Sequence, residues 1–170
     1  MTLFRRILVP HDFSEHATRA LALATKLARE HRGRLLVLHV ITPFHPTTAL
    51  AEEAIAWVPD GDLVAGERRH LEALVARTVT GPKAPAVTCK VEIGDPFARI
   101  VDAARHADAV VMATAGRTGL SHLLIGSVAE KVVRHAPVPV LTLRPARTRA
   151  TQASRRTGAA GKNARASRRR

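Results

Sequence analysis

Between Ala113 and Ser127 the chain reads ATAGRTGLSHLLIGS. An apolar run that begins at Ala109 leads into this stretch, and a helical pattern from Val128 to His135 follows it. A strand, a loop containing glycines and the start of a helix are therefore predicted in that order. Such a loop offers backbone N–H groups to an anion, because the free amides and the dipole of a helix N-terminus favour negative charge. The stretch therefore predicts an anion-binding loop.

Five apolar runs alternate with four helical patterns along the chain. This alternation predicts an α/β fold, in which a parallel sheet carries helices on both faces through right-handed crossovers. The third run alternates between apolar and polar residues, so its strand is predicted to be half-buried and near a sheet edge. The predicted strands are Arg6–Pro10, Arg34–Val40, Val87–Ile93, Ala109–Ala113 and Val138–Leu143.

Three of the predicted helices are preceded by residues suited to capping, among them Asp95, which is followed by Pro96 at the first helical position. Asp12 with Glu15, and Ser127 with Glu130, have the spacing of a capping box, in which the first side chain accepts a hydrogen bond from the helix backbone. Gly33 is predicted to end the first helix as the glycine just beyond its last turn.

In an α/β sheet, ligands bind beyond the carboxyl ends of the strands. The predicted strands place residues 10–12, 39–41 and 113–116 at those ends. Three segments that are distant in sequence are therefore expected to meet at one crevice. At this point Asp12 has two open interpretations, since it could cap the first helix, face the crevice, or do both.

The chain divides by composition into a domain, residues 1–145, and a basic tail, residues 146–170. The tail holds nine of the 27 Lys and Arg residues, no acidic residue and no large apolar residue. It is expected to be disordered, because it cannot bury enough apolar surface to offset the entropy of ordering. It is either a solvated extension or a basic arm that binds nucleic acid without sequence preference, since it lacks aromatic residues for base stacking.

The remaining composition argues for a cytoplasmic protein that is not an enzyme. The chain has one cysteine, Cys89, no signal-peptide pattern and no run of 18 apolar residues. The nine histidines are scattered without metal-ligand spacing. No nucleotide-hydrolase lysine motif, nucleophile-elbow motif or paired carboxylates occur, so no catalytic or metal site is predicted.

Several segments together resemble the universal stress protein family over roughly residues 1–145. The segments that carry the resemblance are ILVPHDFS (7–14), LHV (38–40), EIGDP (92–96), GRTGL (116–120) and GSVAEKVV (126–133). The resemblance implies a five-stranded parallel sheet with strand order 3-2-1-4-5 and a homodimer formed through the edge of the fifth strand. It also implies a role in the stress response.

One branch of that family binds ATP through a loop with the pattern Gly, two residues, Gly, nine residues, Gly, then Ser or Thr. Gly116, Gly126 and Ser127 match this pattern, but Ala113 stands at the first glycine. Ala115 occupies a position that is often His in the family. The resemblance implies ATP or a related adenine nucleotide, with or without Mg²⁺, as the ligand.

The resemblance also implies which residues surround that nucleotide. Asp12 would contact the ribose, and the backbone of Val40 the adenine. Gly116, Gly126, Ser127 and Val128 would surround the phosphates, to which Arg117 could add a positive charge. The predicted binding residues are Pro10, Asp12, Val40, Ala113, Gly116, Arg117, Gly126, Ser127 and Val128.

The effect of Ala113 depends on the backbone at that position. With ordinary strand dihedral angles the methyl group costs nothing, whereas with a positive φ, or with adenosine packed on Cα, it costs ~1–3 kcal/mol. The latter corresponds to a loss of affinity of up to roughly a hundredfold.

Three functions therefore remain open from the sequence. The first is a stress-response sensor or regulator that binds an adenine nucleotide. The second is a dimeric interaction protein of the same fold whose loop binds no nucleotide. The third is an adaptor whose basic tail binds nucleic acid.

Overall fold

The computed structural model describes residues 4–43, 60–114 and 126–144. The chain forms a five-stranded sheet in the order β3-β2-β1-β4-β5, in which every neighbouring pair is parallel. The predicted fold class and strand order are confirmed. The strands are β1 (Arg6–Pro10), β2 (Arg34–Ile41), β3 (Ala86–Ile93), β4 (Ala109–Ala113) and β5 (Val140–Leu143). The helices are α1 (Glu15–Glu30), α2 (Gly61–Thr78), α3 (Pro96–Ala104) and α4 (Ser127–His135).

Alternate residues of the central strand enter two different cores. Ile7 and Val9 of β1 pack with the buried faces of α1 and α2. Leu8 packs in the opposite core with Ile100 of α3 and Val132 of α4. All five side chains are buried, as expected for a parallel sheet that is covered on both faces.

The amino edge of the sheet is held by a pair of charged residues at the start of β1 and just before β4. Both Nε and Nη2 of Arg6 donate to Oδ1 of Asp108, at 3.1 and 2.8 Å, and the Arg6 backbone N–H donates to Oδ2 at 2.8 Å. These hydrogen bonds lower the pKa of the Asp108 carboxyl below its usual value. The pair fixes the two strands side by side at the end of the sheet where β1 begins.

The N-terminus of α1 corrects the predicted capping by Asp12. Ser14 is the N-cap, and its hydroxyl oxygen accepts a hydrogen bond from the Ala17 N–H at 3.1 Å. Asp12 Oδ1 accepts instead from the Ser14 N–H at 3.1 Å, which closes a turn before the helix. Phe13 adopts a φ of +64° in that turn. The prediction erred because a second capping residue follows Asp12 two positions later.

The C-terminus of α1 also differs from the prediction in detail. The left-handed residue beyond the helix is Arg32, with φ +51°, and not Gly33. Gly33 donates its N–H to Ala28 O at 2.7 Å, and a Cβ at this position would lie 2.3 Å from Phe4 O. Glycine is required here by the close approach of two backbone segments, since its own φ is not positive.

The capping box predicted at Ser127 is not formed. Gly126 is the N-cap of α4, and Ser127 is the first helical residue and is exposed. Among the residues that the structure describes, no side chain caps this helix. The shift by one residue removes the spacing that the Ser127–Glu130 pair needed. The fifth strand is likewise shorter than predicted, because it begins at Val140, after Pro139, which cannot donate to a strand neighbour.

The described sheet ends at β3 on one side and at β5 on the other, which confirms the predicted edge position of the third strand. Several predictions lie outside the described residues, namely those for Ala115, Gly116, Arg117 and the tail 146–170. Within the described segments, no helix has the length and apolar character needed to cross a membrane.

Candidate functional site

A cavity of about 630 Å³ opens at the carboxyl edge of the sheet. Its walls come from the ends of β1, β2 and β4, from the first turn of α4, and from α1, α2 and α3. Residues 10–12, 39–41 and 113–114, which are the described parts of the three segments predicted to converge, all line it. Gly116 and Arg117 lie outside the described residues. The other seven of the nine predicted binding residues line the cavity: Pro10, Asp12, Val40, Ala113, Gly126, Ser127 and Val128.

The start of α4 is attached directly to the end of β4. The Gly126 N–H donates to Thr114 O at 2.6 Å, and a Cβ on Gly126 would lie 3.1 Å from that same oxygen. Any side chain would therefore have to push the two backbone segments apart. Because none of the described side chains caps α4, the first turn of this helix is suited to hold an anion in the cavity.

Ala113 adopts ordinary strand geometry. It pairs with Leu143 of β5 and is not among the described non-glycine residues with positive φ, which are Phe4, Phe13 and Arg32. Alanine therefore carries no backbone penalty at this position. The sequence left two ways in which Ala113 could weaken nucleotide binding. Backbone strain is excluded, so only a clash between the ligand and the alanine methyl group in the cavity wall remains.

Asp12 lies between the other two contributing strand ends, because β1 is the strand between β2 and β4. One carboxylate oxygen accepts from the Ser14 N–H, and the side chain lines the cavity. The capping role belongs to Ser14, so the part of Asp12 that faces the cavity is suited to accept hydrogen bonds from ligand hydroxyl groups.

His11, behind Asp12, is held as a neutral imidazole. Its Nδ1 accepts from the Phe13 N–H at 3.1 Å, which requires that nitrogen to be unprotonated. Burial lowers the pKa of His11 from 6.5 to about 4; neighbouring Asp12 opposes this shift, and nearby His39 and His70 add to it. His39 donates from Nδ1 to His11 O at 2.8 Å. These bonds fix the backbone from which Asp12 projects.

The Phe13 ring joins this turn to two further elements. It lies 4.5 Å from the ring of His39 at the end of β2, and 4.3 Å from the parallel ring of His70 on α2. Sequence reasoning did not find this ring cluster, since the three residues are brought together only by the packing of α2 over the sheet. No local spacing in the sequence signals it.

Sequence reasoning also missed the contribution of α2 to the cavity. Leu63 and Glu67 line the wall that this helix provides. A signal was present, because the inward positions of the helix, Leu63, Leu71 and Val75, are apolar except at Glu67. Among the residues that the structure describes, no group of three or more His, Cys, Asp or Glu side chains is arranged to bind a metal ion.

Comparison with known proteins agrees with this architecture. The model of the family described as "Universal stress protein family" matches residues 3–144. A universal stress protein of Thermus aquaticus is 35% identical over 144 residues, covering 84% of this chain and 100% of that protein. One of Methanocaldococcus jannaschii is 31% identical, covering 84% of this chain and 83% of its own length.

A solved structure shows the same relationship in three dimensions. The universal stress protein UspA from Lactobacillus plantarum superposes with a TM-score of 0.65 at 26% identity, covering 85% of this chain and 100% of that one. The family match extends over the whole described sheet and every segment that lines the cavity. The chain belongs to the universal stress protein family.

Proposed function

We propose that this protein binds ATP or a related adenine nucleotide in the cavity at the carboxyl edge of the sheet. In this proposal it acts in the cytoplasm as a sensor or regulator of the stress response and not as a catalyst. The observation that carries the proposal is the contact between Gly126 and Thr114, which brings to the cavity the N-terminus of α4, a helix that no described side chain caps. Such a helix end is suited to hold phosphate.

The polar groups of the described cavity wall support a nucleotide as the ligand. The first turn of α4, with the Ser127 hydroxyl, lies on the β4 side and offers donors to phosphate oxygens. Asp12 lies at the end of the next strand and offers acceptors to ribose hydroxyls. Val40, at the end of β2, offers a backbone position for the base. When Mg²⁺ accompanies ATP, it would neutralise part of the phosphate charge.

Two proteins of the same fold support an adenine nucleotide in particular. A universal stress protein was solved in complex with cAMP, and a family member from Arabidopsis thaliana was solved with AMP bound. Their identities to this chain are 19% and 18%, so what they share with it is the fold. The residues of this chain that line its own cavity supply the rest of the argument.

The β5 edge favours a second role, as an interaction surface between two copies of the chain. Leu141 of β5 is 40% exposed, and Val133 of the adjacent α4 is 49% exposed. Within the described sheet no further strand pairs with β5, and a strand edge with apolar neighbours is suited to pairing with a second strand. A homodimer through this edge is compatible with nucleotide binding, and it would remain if the cavity held no ligand.

Calorimetry of the full chain with ATP, AMP and cAMP, each with and without Mg²⁺, tests the proposal. We expect saturable binding and a rise in Tm that depends on ligand concentration, because a ligand that binds the folded state stabilises it. If millimolar nucleotide produces neither heat nor a change in Tm, the nucleotide proposal is wrong. If the protein is then still a dimer, the interaction role is favoured.

A further inference from the structure

One carboxylate in the cavity wall has no role in the site described above. Glu67 lies on the inward face of α2, one turn before the fully buried Leu71 and one turn after Leu63. On the inward face of a helix, most residues are apolar, and an acidic residue there is usually paired with a cation. Within the described parts of the chain, Glu67 makes no ion pair and no side-chain hydrogen bond.

The nearby positive charge is directed elsewhere. Arg68, the next residue, donates from Nε to Glu72 Oε1 at 2.9 Å on the outer face of the helix. None of the described residues that line the cavity is a lysine or an arginine. The carboxylate of Glu67 thus lines the cavity without a partner among the described residues, and an occupant that offers it a hydrogen-bond donor is favoured there.

The order of the strands decides which part of a nucleotide would meet Glu67. Helix α2 packs mainly against β3, at one side of the sheet, whereas α4 starts beside β4 on the other side. Going from α2 toward α4, the cavity presents Glu67, then the end of β2, then Asp12 just after β1, then Gly126. A nucleotide with its phosphates at α4 and its ribose at Asp12 would place its base on the Glu67 side.

The surroundings of Glu67 suit a base better than a sugar or a phosphate. Leu63, one turn before Glu67, and Ile41, at the end of β2, also line the cavity and give apolar surface against which a planar ring can pack. A carboxylate repels phosphate but accepts a hydrogen bond from an amino group on a ring. A carbonyl oxygen at the same ring position would face the carboxylate with no proton between them.

We propose that Glu67 selects the base, by accepting a hydrogen bond from the exocyclic amino group of adenine and disfavouring purines that carry a carbonyl group there. This inference rests on the proposed nucleotide function. Glu67 is thus a specificity-determining residue supplied by α2, in addition to the residues at the strand ends.

The test compares ATP with ITP, which differ in the amino and carbonyl groups at one ring position, in calorimetric titrations of the full chain. We expect the unchanged protein to prefer ATP by about tenfold or more, and Glu67→Ala to reduce this preference to within about threefold. Glu67→Gln should improve ITP binding relative to ATP, because its amide can donate to a carbonyl as well as accept. A residue that only supported the fold would not shift this ratio.

Glu72→Gln is the matched control, since Glu72 lies on the same helix but pairs with Arg68 away from the cavity. It should leave the ATP-to-ITP ratio unchanged. A third nucleotide, 2′-deoxy-ATP, separates base recognition from ribose recognition. If Glu67→Ala changes only the ratio of ATP to 2′-deoxy-ATP, the carboxylate contacts the sugar and the inference is overturned.

Failure of the inference can be distinguished from failure of the proposed function. Equal binding of ATP and ITP by the unchanged protein overturns the role of Glu67 but leaves nucleotide binding intact. No binding of either nucleotide overturns both.

Discussion

The backbone N–H of Gly126 donates to the carbonyl oxygen of Thr114 at 2.6 Å, which fastens the first turn of α4 to the end of β4. Gly126→Ala would place a methyl carbon 3.1 Å from that oxygen and force the two segments apart by a few tenths of an ångström. We expect a loss of roughly 1–2 kcal/mol in the free energy of unfolding. Nucleotide affinity should also fall, because the helix N-terminus moves relative to the cavity.

Gly66→Ala serves as the control for this prediction. A Cβ on Gly66 would meet only the flexible Arg69 side chain, at 3.9 Å, within α2. Alanine should therefore stabilise the helix by roughly 0.5–1 kcal/mol. Chemical denaturation of both variants, with nucleotide titration of each, measures the contrast; a destabilisation of similar size in both would contradict it.

Ala113→Gly should lower stability without a large gain in affinity. Ala113 has ordinary strand geometry, so glycine gains nothing in the folded state and costs roughly 0.5–1 kcal/mol in chain entropy. We expect ATP affinity to change by less than about threefold. Ala113→Val, which adds volume to the cavity wall, should weaken binding instead. An increase of tenfold or more in Ala113→Gly would show that the alanine methyl obstructs the nucleoside.

Asp12 and Ser14 should separate ligand binding from helix capping. Ser14→Ala removes the hydroxyl that accepts from Ala17 N–H and should cost about 1 kcal/mol of stability, with little effect on ATP affinity. Asp12→Asn keeps an oxygen that can accept from Ser14 N–H, so its Tm should change little. Its affinity for ATP should fall by about fivefold or more, because an amide is a weaker acceptor than a carboxylate. If instead Asp12→Asn lowers Tm and Ser14→Ala leaves it unchanged, then Asp12 is the residue that caps the helix.

Acid should destabilise the protein partly through His11. Its pKa is 6.5 when unfolded and about 4 when folded, because burial disfavours the charged ring. Between these values the unfolded state binds more protons, so stability falls as the pH drops from 6.5 toward 4 and is unaffected by this group above that window. The full effect is on the order of 3 kcal/mol at ~1.4 kcal/mol per pH unit.

His11→Asn isolates this contribution, since an amide oxygen can replace Nδ1 as the acceptor for the Phe13 N–H and does not titrate. The difference in unfolding free energy between the two proteins should change with pH only below about 6.5. Parallel curves for the two proteins between pH 7 and pH 4 would exclude His11 as the cause.

Gly33→Ala should be more damaging than Gly126→Ala. The added carbon would lie 2.3 Å from Phe4 O, and the contact is with backbone that cannot rotate away. We expect a loss of roughly 2–3 kcal/mol. Gly61→Ala is a suitable comparison, because a Cβ there has no neighbour within 4 Å. The Tm values of Gly33→Ala and Gly61→Ala test this prediction, and equal Tm values for the two variants would contradict it.

The strands could be predicted from the sequence because each is a short apolar run with a clear boundary. Arg6–Pro10 and Ala109–Ala113 have the predicted bounds, and the resemblance to a known family supplied the strand order. The crevice followed from that topology, since parallel strands bring their carboxyl ends to one edge. Capping was predicted less well, because Asp12 competes with Ser14, and Ser127 with Gly126, within one or two residues.

The contribution of α2 to the site was not predicted from the sequence. The helix reaches the cavity only because it crosses from β2 to β3 over the face that holds Phe13 and His39. Its stacking through His70 depends on the angle at which it packs, which no sequence spacing encodes. The sequence does show that Glu67 interrupts the apolar positions of α2, but only the structure shows that this residue lines the cavity.

The Arg6–Asp108 pair lies at the opposite end of the sheet from the cavity. The two ends of the same strands are therefore free to evolve under different pressures. Substitutions around Arg6 would alter how firmly the strands are held together, while those around Asp12 and Gly126 would alter what the protein recognises. Substitutions can thus change the ligand without changing the contacts that hold the strands together, and relatives that share these strands need not share a ligand.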